Sequence, residues 1–530
     1  MKTASWTTRI THSRVWQSYF RHGWPDNPLD RSLVMTSGLF FHLHPVKVSR
    51  QSLRWSYSLG LGMITAILFA VLVFTGTLLM FYYIPSVERA YPTMKAIQTT
   101  IPLGQFTRDM HRWAAHLMVL SVILHLARVF YTGAYKPPRE FNWAVGVLLL
   151  LLTLGASFTG YLLPWDQLAY WAITVGTNIA GYVPMVGSDL RTLLLGGREV
   201  GQNALIRFYT LHIIVLPTLI TLGISYHIWR VRKDGGLAAQ EARAEEQGSR
   251  GAGEQGSRGA AERGRSDTTT SEIQNPQSKI QNPEIFPKDP RKTYGLVELM
   301  HGTSPLVDHG PEETVFAFPV VLLWELVLLL GTTLFLFLLS LLRHAPLEEI
   351  ANPTLTTDPA KAPWYFVGLQ ELLEHMHPTL AGVIIPGLLV LFLLVIPYLD
   401  YTRSQAGRWF SSARGRRIVL WTALYTLVVM PAYIWLDNLI VPREALRGIA
   451  PPMVSQWLIP MVVMAVLVAL PVLILRRWRP TPREMMLGLF TIMFVSAIIF
   501  TLSGFLFRGP GFKLYPPWDM PGDYNPLSDL

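Results

Sequence analysis

The chain has 530 residues, half of them hydrophobic and only 15% charged, with a mean hydropathy of +0.31. A soluble globular protein carries about 25% charged residues, so this composition points to a membrane protein. The net charge of +10 falls in short basic clusters between apolar runs, a pattern of topology and not of nucleic-acid binding; the absence of cysteine excludes disulfides, Cys-ligated iron–sulfur clusters and thioether-attached haem from this chain.

In chain order, residues 1–55 read as a surface segment. SRVWQSYFRHGW (13–24) mixes aromatics with Arg and His, as an amphipathic helix on a bilayer surface does. No apolar run follows a basic start there, so a cleavable signal is not expected. Nine runs then reach the roughly 20 apolar residues that a spanning helix needs: 56–80, 113–132, 143–163, 206–229, 315–341, 379–398, 417–436, 454–475 and 485–506. The expected fold is an all-α integral membrane protein, with a four-helix transmembrane bundle at 56–235 and about five further transmembrane helices. Between the fourth and fifth runs, EQGSRGA at 246–252 recurs at 254–260 and IQNPQSKIQNP follows at 273–283. That polar composition predicts a disordered linker over 236–285. It separates the first bundle from a second unit at 286–440, followed by extra helices and a tail at 441–530.

Basic residues mark alternate loops: Lys47, Arg50 and Arg54; Lys136 and Arg139; Arg230, Arg232 and Lys233; Arg414, Arg416 and Arg417; Arg476, Arg477, Arg479 and Arg483. By the positive-inside rule these loops face the cytoplasm, the N-terminus with them, and the C-terminal tail lies outside a multi-pass cell membrane protein.

The second run, HRWAAHLMVLSVILH (111–125), carries three histidines, and ionisable rings inside a membrane are costly unless they hold something. His111 and His125 are 14 apart, so they return to within about 40° of one helix face, roughly 21 Å apart along the axis. In the fourth run His212 and His227 are 15 apart, within about 60° of one face and about 22 Å apart. Parallel helices place His111 with His212 and His125 with His227. Two imidazoles per layer suit two stacked metal macrocycles held by bis-His axial ligation, so the bundle is expected to bind haem. His116 lies about 140° off the ligand face and has no counterpart on the fourth run, so it is expected to be structural.

Gly62 and Gly76, and Gly146 and Gly160, repeat the 14-residue step and are expected to let a flat ring pack between close backbones. Ordinary small-residue packing is the alternative. Arg112 and Arg128 follow ligand positions and suit haem propionates; snorkelling to the interface is the other reading.

HRWAAHLMVLSVILHLARVFYTGAYKPPRE (111–140), GYLLPWDQLAYWA (160–172) and RFYTLHIIVLP (207–217) resemble cytochrome b of the quinol-oxidising cytochrome bc complexes, especially the branch in which that protein is split in two. The second half, from about 286, resembles the separate smaller subunit of that branch, here fused and extended. The resemblance implies two non-covalent haem b groups: a low-potential one near the outer side on His111 and His212, and a high-potential one near the cytoplasmic side on His125 and His227. It further implies a quinol-oxidation site around Pro164, Trp165, Trp364 and Tyr365. A quinone-reduction site would lie near His125 and His227, with Arg232, Lys233 and Asp234 as candidates.

Two departures stand out. The carboxylate that the family places before the Trp-Tyr pair, as acceptor of a quinol proton, is here Pro363; Glu371 is the preferred substitute and Glu374 the next. The Cys that holds an additional covalent haem in the split branch is here Gly60, so no covalent haem is expected. The implied function is the di-haem subunit of a quinol:cytochrome c, or other high-potential acceptor, oxidoreductase that contributes to proton-motive force. Its implied partners are a Rieske iron–sulfur protein and a cytochrome c or similar acceptor, within a dimeric multi-subunit complex. The rival readings are a di-haem, quinone-reactive anchor of another respiratory enzyme and a haem-free, proton-relaying transporter.

Overall fold

A computed structural model describes residues 13–14, 28–37, 43–234, 236–237, 314–402, 406–440, 449–522 and 524–526. The expected surface helix at 13–24 and the expected disordered linker at 236–285 lie almost wholly outside the described residues.

Among the described residues, nine helices are long and apolar enough to cross a bilayer: Leu61–Met80, Gly104–Tyr131, Glu140–Tyr161, Gln202–Lys233, Ala317–Leu342, Thr379–Leu399, Ala413–Asn438, Met453–Arg476 and Pro482–Phe507. They are numbered here as spans one to nine. Each satisfies its backbone internally, which a hydrocarbon environment demands. Apolar faces of the fifth and eighth spans stay exposed, as with Leu330 and Val466. The protein is an all-α membrane bundle.

The second span begins nine residues earlier than hydropathy suggests. Its first turns are polar, but they are satisfied from the other half of the chain. The Arg108 guanidinium donates to Ala345 O at 2.6 Å and Pro346 O at 2.7 Å, and Asp109 accepts from the Ala345 N–H at 2.7 Å. Burial of these groups is therefore compatible with membrane depth.

The first and second spans pack together, as do the third and fourth, and the four enclose a core around Leu68, Met118, Leu149 and Ile220. The fifth span covers the first two, with Leu336 in the same core. The sixth closes on the third, where the Trp143 indole donates to Leu393 O at 2.6 Å. A short antiparallel pair, Lys47–Ser49 with Thr314–Phe316, ties the segment before the first span to the start of the fifth.

The ninth span is wedged into the protein and not appended to it. It packs along the seventh and against the surface helix Trp364–His375. Thr481 and Glu484 form a reciprocal capping box at its start, a TPRE signature that suits a helix N-terminus. Inside one turn, Arg483 donates to Phe130 O at 2.6 Å and to the Tyr135 hydroxyl, reaching the loop after the second span. At its far end Arg508 meets Glu371. The basic loops named above gather at one end of the bundle, called lower here; the other end is upper.

Three spans contain a wide π turn just before a proline: Leu211–Val215 before Pro217, Thr379–Ile384 before Pro386, and Met453–Leu458 before Pro460. Proline offers no N–H and its ring crowds the preceding turn, so the helix relaxes there by widening.

Candidate functional site

The structure brings the four predicted histidines together in two pairs. The His111 and His212 rings lie with centroids 6.2 Å apart near the upper end, and those of His125 and His227 lie 6.4 Å apart near the lower end. The π turn that contains His212 takes up part of the extra residue in the 15-residue spacing. The fourth span therefore presents its histidines on nearly the same step as the second.

Hydrogen bonds set the chemistry of the upper pair. His212 Nδ1 lies 3.0 Å from Ala156 O, and a carbonyl only accepts, so Nδ1 carries the proton. His111 Nδ1 lies 2.9 Å from Thr75 Oγ1, whose own hydroxyl donates to Val71 O at 2.7 Å. Both rings are thus held as Nδ1–H tautomers with a lone pair on Nε2, the form that ligates a metal. In the lower pair, His125 Nδ1 has no partner among the described residues.

Each predicted glycine faces one histidine. A Cβ on Gly76 would sit 3.1 Å from His111 Cε1, one on Gly62 3.1 Å from His125 Cε1, one on Gly160 2.5 Å from His212 Cε1, and one on Gly146 3.6 Å from His227 Cε1. The glycines make room for the imidazoles. Gly60 sits at φ +61°, and a Cβ there would meet Leu328 at 2.9 Å.

A cavity of about 280 Å³ opens at the upper pair, and one of about 90 Å³ at the lower. Arg112 lines the upper cavity and Arg128 the lower. Arg128 is buried, with its guanidinium 5.5 Å from the Tyr57 ring.

Above the upper pair the cavity has a roof made by both halves of the chain. The turn after the third span pairs with the loop after the fifth: Gln167 N donates to Glu349 O at 2.9 Å and Ala351 N to Trp165 O at 3.2 Å. Trp165, at φ +55° and buried, anchors this turn. Asp166 caps the following helix by accepting from Ala169 N at 2.9 Å. Burial pushes the Asp166 carboxyl upward, opposed by its hydrogen bonds and by Arg108 and Arg112. Pro164 and Tyr365 line the cavity. Pro363 precedes the helix Trp364–His375, and the Trp364 indole donates to His116 Nδ1 at 3.1 Å.

Other expected residues stand elsewhere. Glu371 is fully buried and absent from the cavity wall; both its oxygens meet Arg508, at 2.7 and 2.9 Å, and Ser503 donates to it at 3.1 Å. Glu374 is exposed. At the lower end Arg232, Lys233 and Asp234 do not line the cavity; Tyr135, Arg139 and Asn142 do. Arg139 donates to Asp234 O at 3.0 Å, and Lys233 lies 5.1 Å from the Trp229 ring centroid.

Sequence reasoning missed Glu348 and His116 on the upper wall, which also carries Asp166 from the predicted turn after the third span. Nothing in local spacing marks Glu348. His116 had a signal: its rotation off the ligand face turns it toward Trp364 and Tyr365, whose ring centroid lies 5.8 Å away.

The model of cytochrome b/b6/petB matches residues 47–235, and that of the C-terminal part of cytochrome b, cytochrome b/b6/petD, matches residues 350–441. Cytochrome b6 of Heliobacterium mobile is 44% identical over 176 residues, which are 33% of this chain and 82% of that protein. The chain belongs to the cytochrome b/b6 family. Its fold is similar to a chain of the hyperthermophilic respiratory Complex III, with a TM-score of 0.51 and 22% identity over 84% of this chain and 90% of that one. Both parts of the family are thus present in one polypeptide, and all four paired histidines lie within the first matched region. Arg483 and Arg508, which pin the ninth span, lie beyond both matched regions.

Proposed function

We propose that this cytochrome b-family chain is the di-haem membrane subunit of a quinol-oxidising bc-type complex. The observation that carries the proposal is the spacing of the two histidine pairs, 6.2 and 6.4 Å between ring centroids. Two imidazoles facing each other across such a gap, with their Nε2 lone pairs free, would hold a haem iron between them by bis-histidine ligation. On this reading His111 and His212 hold the low-potential iron, and His125 and His227 the high-potential iron. Arg112 and Arg128 pair with propionates, and the four glycines keep the rings in place. When bound, the two haems supply one-electron redox chemistry at each end of the bundle.

The chain's own residues do the rest. Thr75 and Ala156 orient the upper imidazoles and raise their basicity. Pro164 and Tyr365 wall the upper cavity as the quinol-oxidation site, with Trp165 holding the turn above it and Trp364 holding His116 on its wall. A quinone-reduction site lies at the lower end, where Arg139 lines the cavity and donates to Asp234 O, with Arg232 and Lys233 on the same helix end just outside it. With the basic loops cytoplasmic, protons leave at the upper, outer side and enter at the lower side. The external acceptor is a Rieske-type iron–sulfur protein that passes electrons to a cytochrome c or similar carrier, and the complex is dimeric.

Reduced-minus-oxidised spectra of membranes containing the protein, with a quinol-dependent acceptor-reduction assay, test the proposal. It requires a b-type α band and quinol-dependent turnover. A haem-free protein would overturn it, and a di-haem protein without quinol oxidation would point to a membrane anchor of another respiratory enzyme.

A further inference from the structure

Oxidising a quinol releases protons, and the position before Trp364 is Pro363, which accepts none. Three carboxylates come into question at the upper end. Glu371 is clamped by Arg508 and Ser503 and is absent from the cavity wall. Asp166 lines the wall, but both its oxygens already accept backbone N–H groups: Ala169 at 2.9 Å and Glu348 at 3.3 Å. Protonating it would weaken the roof itself.

Glu348 is the third. It is half-buried and lines the same cavity as Pro164, His116 and Tyr365. Its own N–H is held by Asp166, and the neighbouring Glu349 and Ala351 pair with the turn after the third span. The loop that carries it is therefore fixed against the cavity. Near these carboxylates is Tyr91, whose phenol is pushed up by partial burial and then by Asp166, Glu349 and Glu348. The charged and titratable groups around Glu348 are thus Asp166, Glu349 and Tyr91, with Arg108, Arg112, His116 and Tyr365 across the cavity.

We infer that Glu348 is the residue that accepts a proton from quinol in the upper cavity. The inference rests on the quinol-oxidising reading above. As an external one-electron carrier of high potential takes an electron from the quinol, the quinol O–H bond breaks. Its proton bonds to a Glu348 carboxylate oxygen, and the carboxylic acid then returns the proton to water. The residue lines the cavity and is only half-buried, as a general base that must exchange its proton requires.

The test uses the full chain assembled with its partners in membranes, measuring quinol-dependent acceptor reduction from pH 5 to 9 alongside haem difference spectra. Glu348→Gln is expected to lower the maximal rate by about 10²-fold, the low end of general-base contributions, and to flatten the acid limb of the pH profile, with haem bands unchanged. Glu348→Asp is expected to restore part of the rate and shift that limb. A Glu348→Gln variant with the parental rate and pH profile overturns the inference. So does an equal loss in both variants with the pH profile intact, which marks a purely structural role. If Glu348→Gln does not assemble, Glu348→Asp decides by whether its acid limb shifts. Parental membranes that carry both haems and oxidise no quinol overturn the functional reading itself, and the inference with it.

Discussion

Gly160 stands against the imidazole of His212 so closely that a Cβ on it would lie 2.5 Å from Cε1. Real carbon atoms do not approach so near, and the ring has nowhere to retreat while its Nδ1 holds Ala156 O. Gly160→Ala is therefore expected to lower occupancy of the upper haem and leave the lower one intact. Gly146 opposes His227 at an ordinary 3.6 Å, and Gly146→Ala should retain both haems. Haem content of the two purified variants checks the contrast; equal losses would remove the steric argument.

Thr75 supplies the acceptor for His111 Nδ1 at 2.9 Å. Thr75→Val keeps the shape and removes that oxygen, so His111 loses its tautomer lock. Loss of such an outer partner costs about 10–100-fold in metal affinity. Haem retention on dilution in detergent should fall for the upper site alone, and its midpoint potential should move while the lower one stays.

Arg508, from the end of the ninth span, is the counter-ion of the fully buried Glu371. Arg508→Met would strand a buried carboxylate, a change that costs about 3–5 kcal/mol. Thermal unfolding of the solubilised protein should drop markedly. The double variant Arg508→Met, Glu371→Leu should recover much of the loss, because an apolar pair leaves no charge unpaired.

His375 adds a pH dependence to the same cluster. It lies 2.6 Å from Asp437 and 3.4 Å from Glu371. Burial alone would lower its pKa, but the two carboxylates outweigh burial and raise it above 6.5. A raised histidine contributes stability that is full below its unfolded pKa and fades as pH climbs through the folded value. Glu371 behaves oppositely: burial would raise it, yet His375 and Arg508 hold it at about 2, so its contribution fades only as pH falls from its unfolded value, about 4.3, through about 2. The ninth span should therefore loosen above pH 6.5, read as faster proteolysis of the C-terminal region. His375→Gln should flatten that dependence.

Much of this was legible in the sequence because hydropathy and a 14-residue step are local signals. The nine spans follow from apolar runs, and the pairing of His111 with His212 follows from depth on parallel helices. The offset of about 60° between His212 and His227 was legible from spacing, but the π turn ahead of Pro217 that absorbs part of it was not. The glycines were read as haem packing; they touch the histidine rings themselves. Glu371 shows why a motif gap is hard to fill by proximity along the chain. Its partner Arg508 is 137 residues away, and only the fold reveals that the carboxylate is already engaged. Glu348 is brought to the cavity by an equally non-local pairing of two loops.

The central claim is two bis-histidine haem sites, one at each end of one bundle. Haem b per polypeptide, measured on purified protein and on the His212→Leu and His227→Leu variants, tests it most directly. The account predicts two haems in the parent and one in each variant, with the surviving haem differing in midpoint potential between them. A parent with one haem or none, or a His212→Leu variant that keeps both, would contradict it.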